Sequence, residues 1–268
     1  MFTVKILQQS LPVKPWADAR TRRLPGVGPV SADAWLMIDD AYAAQMAYVD
    51  QILAKQRDLV VADTANGQCA SRELCDAVIK WCLTQPGFAR RGNTIIRPDG
   101  VQINLDADIP LVTARRLVQE DLLIHLKTGD EHVLTSGVLA FPASWSLNEK
   151  LNRGLRGVHA PVDPYNEGIA KRVQRLFDGL QVGRPLMRAN FLQYHDPDLH
   201  QPRREDARRD TSMPARFMRV ERQCLIRLPV TAAVVFSIHT FVVPMSYLTT
   251  EDVEVLDELG ASTHDTAG

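Results

Sequence analysis

The chain has 268 residues, 45% hydrophobic and 24% charged, a composition typical of a soluble globular protein. Its 31 basic and 32 acidic residues give a formal net charge of −1, which offers no electrostatic attraction to nucleic acid or to an anionic membrane. No apolar run reaches the ~18–20 residues that span a bilayer, and residues 1–16 lack the features of a signal peptide. We therefore expect a cytoplasmic protein with no nucleic-acid or membrane partner.

The N-terminal part of the chain predicts helices and one hairpin. Ser31 can cap a helix through residues 32–56, where apolar residues recur at helical spacing. A second helix is predicted over residues 71–85, and the turn signal "PDG" predicts a hairpin within residues 93–106. Residues 1–110 are thus predicted to be a helical extension, with this hairpin, packed on the core.

The pattern becomes β-rich from about residue 119. Two runs flank a turn at Thr128-Gly129-Asp130, and longer runs follow at 184–195, 215–229 and 232–244. Five strands joined mainly by turns predict an antiparallel sheet, with a helix at 164–180 over one face. The predicted class is α+β, with the main domain at residues 111–260. A short helix is expected near residues 250–258, and a disordered tail at 261–268.

Neither the cysteines nor the common catalytic motifs indicate a particular enzyme class. None of the four cysteines forms a CxxC pair. Cys75 and Cys82 fit the buried face of a helix as small hydrophobic residues, and Cys224, in a predicted strand, is the only one to consider as an iron ligand. No glycine-rich phosphate loop, GxSxG or HExxH motif is present.

The histidines leave several readings open. Residues 195–200, "HDPDLH", could bind a divalent metal through His195, Asp196, Asp198 and His200, but they also suit the start of a solvated loop or an active-site lid over residues 196–214. His125 and His132 flank the predicted hairpin turn and are expected to be a surface pair. His239 lies in an apolar strand, where it is either a hydrogen-bonded core residue or a pocket-facing acid or base.

Residues 141–165 are the most unusual segment, because they combine apolar rings, clustered cations and a histidine ahead of a proline. A haem needs a neutral imidazole for its iron, cations for its propionates and apolar walls for its ring. The candidates are His159 for the iron, Lys150, Arg153 and Arg156 for the propionates, and Phe141, Trp145 and Val158 for the walls. A helix N-terminus with a solvated basic face also explains the same residues.

The segment resembles the signature of the haem-dependent oxidative N-demethylase family, which reads approximately "FPS-x-W-x-L-x-EK-[LI]-G-x-P-L-x-x-IHAPVP". The matching residues are Phe141, Pro142, Trp145, Leu147, Glu149, Lys150, Leu155, His159, Ala160, Pro161 and Val162. Residues 218–244 are similar to a second family pattern, "RxERQTLxRLPxSxAxxFxIRTY", and residues 34–53 resemble the family's N-terminal pattern. The resemblance therefore extends over most of the chain.

This resemblance implies a PAS-like antiparallel sheet that holds a haem b, and oxidative removal of a methyl group from a small secondary amine. Dioxygen would be the oxidant, and electrons would come from NADPH through separate flavin and iron–sulfur partners. By motif position, His159 is the candidate axial ligand and the three cations are candidates for the propionates. Glu221 and Arg222 are candidate pocket groups, with Glu221 holding a cationic amine or relaying protons.

The chain departs from the family pattern where "IRTY" is replaced by Ile238-His239-Thr240-Phe241. If these side chains face the haem, a fixed cation and a hydroxyl donor are lost, which changes how ligands are stabilised. The predicted catalytic set is therefore Glu221, Arg222 and His239. A redox-neutral haem enzyme with another substrate, a haem-based sensor or binding module, and a scaffold without haem are the alternatives.

Overall fold

The computed structural model describes residues 6–17, 26–159, 167–207 and 212–263. The helices are α1 (Tyr42–Val60), α2 (Gln68–Cys82), α3 (Pro110–Arg115), α4 (Leu147–Lys150), α5 (Leu155–His159), α6 (Glu167–Gly179) and α7 (Thr250–Thr263). The strands are β1 (Gly28–Pro29), β2 (Val61–Asp63), β3 (Ala89–Arg91), β4 (Thr94–Ile96), β5 (Gln102–Asn104), β6 (Asp121–Thr128), β7 (Glu131–Val138), β8 (Leu186–Tyr194), β9 (Phe217–Arg227) and β10 (Val234–Pro244). None of these helices has the length and apolar character needed to cross a membrane.

An antiparallel sheet in the order β1-β8-β9-β10-β6-β7-β2 forms the centre of the α+β fold. The five predicted strands are confirmed as its interior, but the described sheet has seven strands. The predicted count was too low because β1 and β2, at the two edges, are only two and three residues long and carry no alternating pattern. A second small sheet, β3-β4-β5, contains the predicted hairpin, with Gly100 in its turn at a φ of 83°.

The first long helix begins later than predicted, at Tyr42 rather than after Ser31. Residues 33–39 run instead as turns and irregular backbone against the sheet, and the Trp81 indole donates a 2.6 Å hydrogen bond to the Asp33 carbonyl. The Ser237 hydroxyl likewise donates to the Trp35 carbonyl. The side-chain oxygens of Glu120 and Gln119 accept hydrogen bonds from the backbone N–H groups of Met37 and Asp39. These long-range partners satisfy backbone groups that a helix would otherwise pair internally.

The other helices lie close to their predicted positions. The structure confirms α2 and α6, but α7 continues to Thr263 and so includes the first residues of the predicted tail. Residues 264–268 lie outside the described residues.

The two faces of the sheet carry different polar side chains. Side chains that lie opposite each other in register point to the same face. Asn190, Glu221 and Thr240 are in register across β8, β9 and β10, and we name their side the Glu221 face. Arg222 and His239 are in register on the other side, the His239 face.

Each face is covered by a different part of the chain. Phe177 of α6 packs with Leu225 and Val234 over one end of the Glu221 face, as predicted for the inserted helix. On the His239 face, Trp16 and Leu256 pack against the strands in one cluster. The N-terminal extension therefore closes the His239 face together with α7.

A buried ion pair anchors the beginning of the 141–165 segment. Arg115 and Asp121 are both fully buried, with 2.9 Å between Nε and Oδ1. The Asp121 carboxylate also accepts hydrogen bonds from the backbone N–H groups of Ala140 (2.8 Å) and Phe141 (2.7 Å). One carboxylate thus ties α3, β6 and the chain after β7 together.

We expect Asp121→Asn to lower the free energy of unfolding by about 3 kcal/mol, because it leaves the buried Arg115 guanidinium without its counter-ion. The matched control is Asp206→Asn, since Asp206 pairs with Arg204 at the surface, where both side chains are more than 70% exposed and such pairs contribute at most ~1 kcal/mol. Urea denaturation of the three proteins measures the difference. Equal effects of the two substitutions would contradict the anchoring role of Asp121.

Candidate functional site

The middle of the Glu221 face carries a group of polar side chains where a sheet core would ordinarily be apolar. We name it the polar patch; its members are Arg188, Asn190, Arg219, Glu221, Gln223 and Thr240. Arg219, Glu221, Gln223 and Thr240 are buried, and Arg188 and Asn190 are partly buried. Burying a polar group costs free energy unless the group has a hydrogen-bond partner. Any buried polar atom of the patch that has no partner within the chain is therefore a candidate contact for a ligand.

Four buried atoms of the polar patch have no hydrogen-bond partner among the described residues. They are Arg188 Nε, Asn190 Oδ1, Arg219 Nε and Thr240 Oγ1. Native structures leave few such atoms, and each costs ~1–3 kcal/mol when it stays unpaired. Their concentration on three adjacent strands marks a place where a polar ligand could complete the bonding.

The Glu221 carboxylate at the centre of the patch is held in a defined position. Gln223 Nε2 donates to Glu221 Oε2 at 3.0 Å, and a guanidinium nitrogen of Arg219 lies 3.4 Å from Oε1. Arg219 is itself fixed by hydrogen bonds to the carbonyls of Leu199 (3.0 Å) and Phe141 (2.5 Å). Glu221 is therefore oriented before any ligand binds.

Apolar clusters border the patch on the Glu221 face. Trp145 packs with Leu123, Leu147 and Ile238 in one cluster, and Phe236 also belongs to it. The second cluster, under α6, shares Phe236. The arrangement joins a polar floor to apolar walls, which suits a flat apolar ligand with a small polar molecule beside it.

The segment that carries His159 is fixed along the edge of β7. Asn152 N–H donates to the Leu134 carbonyl at 2.8 Å, and Leu134 N–H donates to the Arg153 carbonyl at 3.1 Å. α5 follows at once, with Leu155 buried in the cluster under α6, and His159 is its last residue. The side chains of Val158 and His159 lie outside the described part of the chain, so both roles stay predictions.

A family model described as haem-dependent oxidative N-demethylase, alpha subunit-like, matches residues 26–265. The chain belongs to this family. The match confirms the resemblance drawn from the two motifs, and it includes every strand of the large sheet.

The three cations predicted for the haem propionates have carboxylate partners in this family member. Lys150 and Arg153 both contact Glu205, at 2.7 and 2.9 Å, and Arg156 lies 3.3 Å from Glu131. Glu205 belongs to the predicted loop at 196–214, which therefore packs on the 141–165 segment. Propionate binding by these cations stays a prediction, and it would require a propionate to share them with the carboxylates.

The two aromatic residues predicted to wall the haem are separated. Trp145 lies on the Glu221 face, whereas Phe141 packs in the main core. The Phe141 ring stacks on Tyr48 with 6.0 Å between centroids, and the Arg115 guanidinium lies 5.1 Å from its centre. Of the two rings, only that of Trp145 belongs to an apolar cluster bordering the polar patch, whereas Phe141 contacts the patch through its carbonyl, which accepts a hydrogen bond from Arg219.

The structure does not bring the predicted catalytic residues together. Glu221 is in the polar patch, but His239 and Arg222 point to the opposite face. Arg222 donates a hydrogen bond to the Ala34 carbonyl in the N-terminal segment. The positions of these two side chains suit a structural contact between the extension and the sheet.

His239 lies between two carboxylates. Its Nδ1 is 3.0 Å from Glu120 Oε1 and its Nε2 is 3.1 Å from Asp39 Oδ2. Burial favours the neutral ring, but the charges and hydrogen bonds of Glu120 and Asp39 outweigh it and raise the pKa of His239 to about 9. The imidazole is therefore a cation at neutral pH.

The other side chains considered as ligands of iron or of a divalent metal are Cys224, His195 and His200. Cys224 is on the His239 face, where burial raises the pKa of its thiol to about 11; Cys75 and Cys82 are buried, as predicted. His195 is exposed, and both ring nitrogens of His200 have partners, the Ala140 carbonyl (2.8 Å) and Gln56 Oε1 (3.1 Å). Within the described residues, no group of three side chains is placed to hold a metal ion.

The prediction that His125 and His132 form a surface pair was wrong. Both rings are buried against Phe177 of α6, at centroid distances of 5.5 and 5.3 Å. The inserted helix returns over this hairpin, and the hairpin's own sequence does not indicate that contact.

Sequence reasoning assigned no role to Arg188, Asn190 or Arg219. The signal for the first two was present in "RPLMRANFLQYH", where two polar residues stand two positions apart and so share one face of a strand. Arg219 matched the second family motif but was given no function.

The charge on His239 predicts a pH-dependent stability. Its folded-state pKa of about 9 exceeds the unfolded value of about 6.5. Its contribution is therefore fully present below pH ~6.5 and is lost as pH rises towards ~9, by up to about 3 kcal/mol. We expect urea unfolding to show this fall in the parent protein and not in His239→Arg, whose charge is permanent.

The control is His195→Arg, because His195 is exposed; this variant should keep the fall. A slope between pH 6.5 and 9 that is the same in His239→Arg as in the parent protein would contradict the assignment of the proton to His239.

Proposed function

We propose that the chain is a haem-dependent oxidoreductase that oxidises a small amine or a related metabolite beside a haem b on the Glu221 face. The observation that carries the proposal is the set of four unpartnered buried atoms on that face, in a chain matched by the N-demethylase family model. Oxidative N-demethylation is the reaction that the family description supports best, and the PAS-like character of the sheet belongs to the same proposal.

The apolar side chains that border the polar patch support the presence of a haem there. The cluster of Trp145, Ile238 and Phe236 can contact its apolar ring, and the neighbouring polar patch can contact what binds beside it. His159 is the proposed axial ligand, and Lys150, Arg153 and Arg156 are the proposed partners of the propionates. When bound, the haem supplies the iron that activates dioxygen.

The side chains of the patch would bind and orient the amine. A cationic amine N–H donates to the Glu221 carboxylate, which Gln223 and Arg219 already hold in position. Asn190 and Thr240 are in register with Glu221. Asn190 Oδ1 can accept a further hydrogen bond, and Thr240 Oγ1 can accept or donate one. Positioning of this kind lowers the entropic cost of bringing the methyl carbon to the reacting centre.

The overall reaction needs an electron donor. The methyl carbon leaves as formaldehyde with one oxygen atom of dioxygen, and the other oxygen atom becomes water with two electrons and two protons. The sequence contains no flavin or iron–sulfur motif. We therefore propose a partner reductase with flavin and iron–sulfur centres, in keeping with the words "alpha subunit-like" in the family description.

The test is the visible spectrum of the purified, haem-reconstituted protein beside those of His159→Ala and His195→Ala. We expect a Soret band in the parent protein that is lost or shifted in His159→Ala and unchanged in His195→Ala, because His195 lies at the surface. A band unaffected by His159→Ala would contradict the proposed ligand. No band in the parent protein would contradict the haem enzyme altogether.

A further inference from the structure

Arg188 is only partly buried, but its bonding differs from that of the buried arginines of the described chain. Arg115 pairs with Asp121, Arg97 with Asp99, Arg219 bonds to two carbonyls, and Arg222 bonds to another. Arg188 lies in the middle of β8 and makes no hydrogen bond or ion pair among the described residues, and its Nε is buried. Burial lowers the pKa of Arg188, an effect that Glu221 opposes only in part.

A guanidinium that is partly buried and has no partner among the described residues is a candidate site for an anion. Isolated buried charges are expensive, and proteins pair them or bind them to a ligand. Glu221, the carboxylate of the polar patch, is held by Arg219 and Gln223 and forms no ion pair with Arg188, although its oxygens can each accept a further hydrogen bond. A carboxylate group from a ligand would complete the Arg188 fork through paired, charge-assisted hydrogen bonds.

The register of β8 with β9 places Arg188 and Glu221 close enough for one small ligand to contact both. Arg188 is opposite Gln223, and Asn190 is opposite Glu221, so Arg188 and Glu221 are diagonal neighbours. Such neighbours lie about 7–8 Å apart at the backbone. A molecule whose carboxylate and ammonium are separated by a single carbon can therefore contact both side chains at once. Asn190 Oδ1, buried and without a partner, is available to accept an ammonium N–H.

We propose that the polar patch is a binding site for a zwitterion, with Arg188 binding the carboxylate and Glu221 the ammonium of an N-methylated α-amino acid. The chemical step on that ligand rests on the proposed function, whereas its binding does not. A simple dialkylamine would leave Arg188 unpaired, so it is the poorer ligand.

Isothermal titration of the haem-reconstituted protein with N-methylglycine, dimethylamine and acetate tests the site, and the haem content of each sample is measured separately. We expect N-methylglycine to bind at least 10-fold more tightly than the other two. Arg188→Gln should remove that preference and leave dimethylamine binding unchanged, whereas Glu221→Gln should weaken both amines. Arg184→Gln, an exposed arginine just before β8, is the matched control and should behave like the parent protein.

The outcomes separate this proposal from the proposed function. Selective binding of N-methylglycine without a Soret band would support the zwitterion site and contradict the haem enzyme. A Soret band with equal binding of dimethylamine and N-methylglycine, or with no binding of any probe, would overturn the zwitterion site alone. Loss of haem in Arg188→Gln would also overturn it, because Arg188 would then hold the cofactor.

Arg188→Lys, which keeps the positive charge, should retain part of the preference for N-methylglycine. Circular dichroism checks that each variant folds.

Discussion

The pairing of β9 with β10 in a single register is the constraint on which the rest of the structure depends. It places Glu221 beside Thr240 and Arg222 beside His239, and because side chains alternate, these two pairs face opposite sides of the sheet. Polar residues that are neighbours in the sequence are thereby divided between two environments. On the His239 face, His239 pairs with Asp39 and Glu120, and Arg222 donates to the Ala34 carbonyl. On the Glu221 face, four buried polar atoms of the patch stay unpaired among the described residues.

The two faces therefore have different roles. His239, Asp39 and Glu120 attach the N-terminal segment to the sheet, and a pKa of about 9 keeps the imidazole charged at neutral pH. The family motif has an arginine at this position, so the position retains a cation although the residue has changed. The polar patch, in contrast, is fixed in geometry but incomplete in bonding, which is the condition expected of a preorganised binding site.

Turn residues and hydrophobic periodicity in the sequence predicted most helices and strands. Contacts between residues far apart in the sequence determined where the first helix begins and which side chains share a face of the sheet. The turns at Gly100 and Gly129 have positive φ and define two hairpins that the sequence indicates directly. The helix predicted from Ser31 starts at Tyr42 because side chains from α2 and the sheet bond to residues 33–39. The motif identified Glu221, Arg222 and His239 as important, but only the register shows that they do not share a face. The spacing of Arg188 and Asn190 in the sequence indicates a shared strand face, but the lack of partners that makes Arg188 a candidate is visible only in the structure.

The location of the iron tests the central claim, that the Glu221 face is the functional face, most directly. A crystal of the haem-loaded protein, with anomalous scattering recorded at the iron edge, gives that position independently of activity. We predict an iron peak on the Glu221 side of the sheet, near the end of α5. A peak on the His239 side would contradict it.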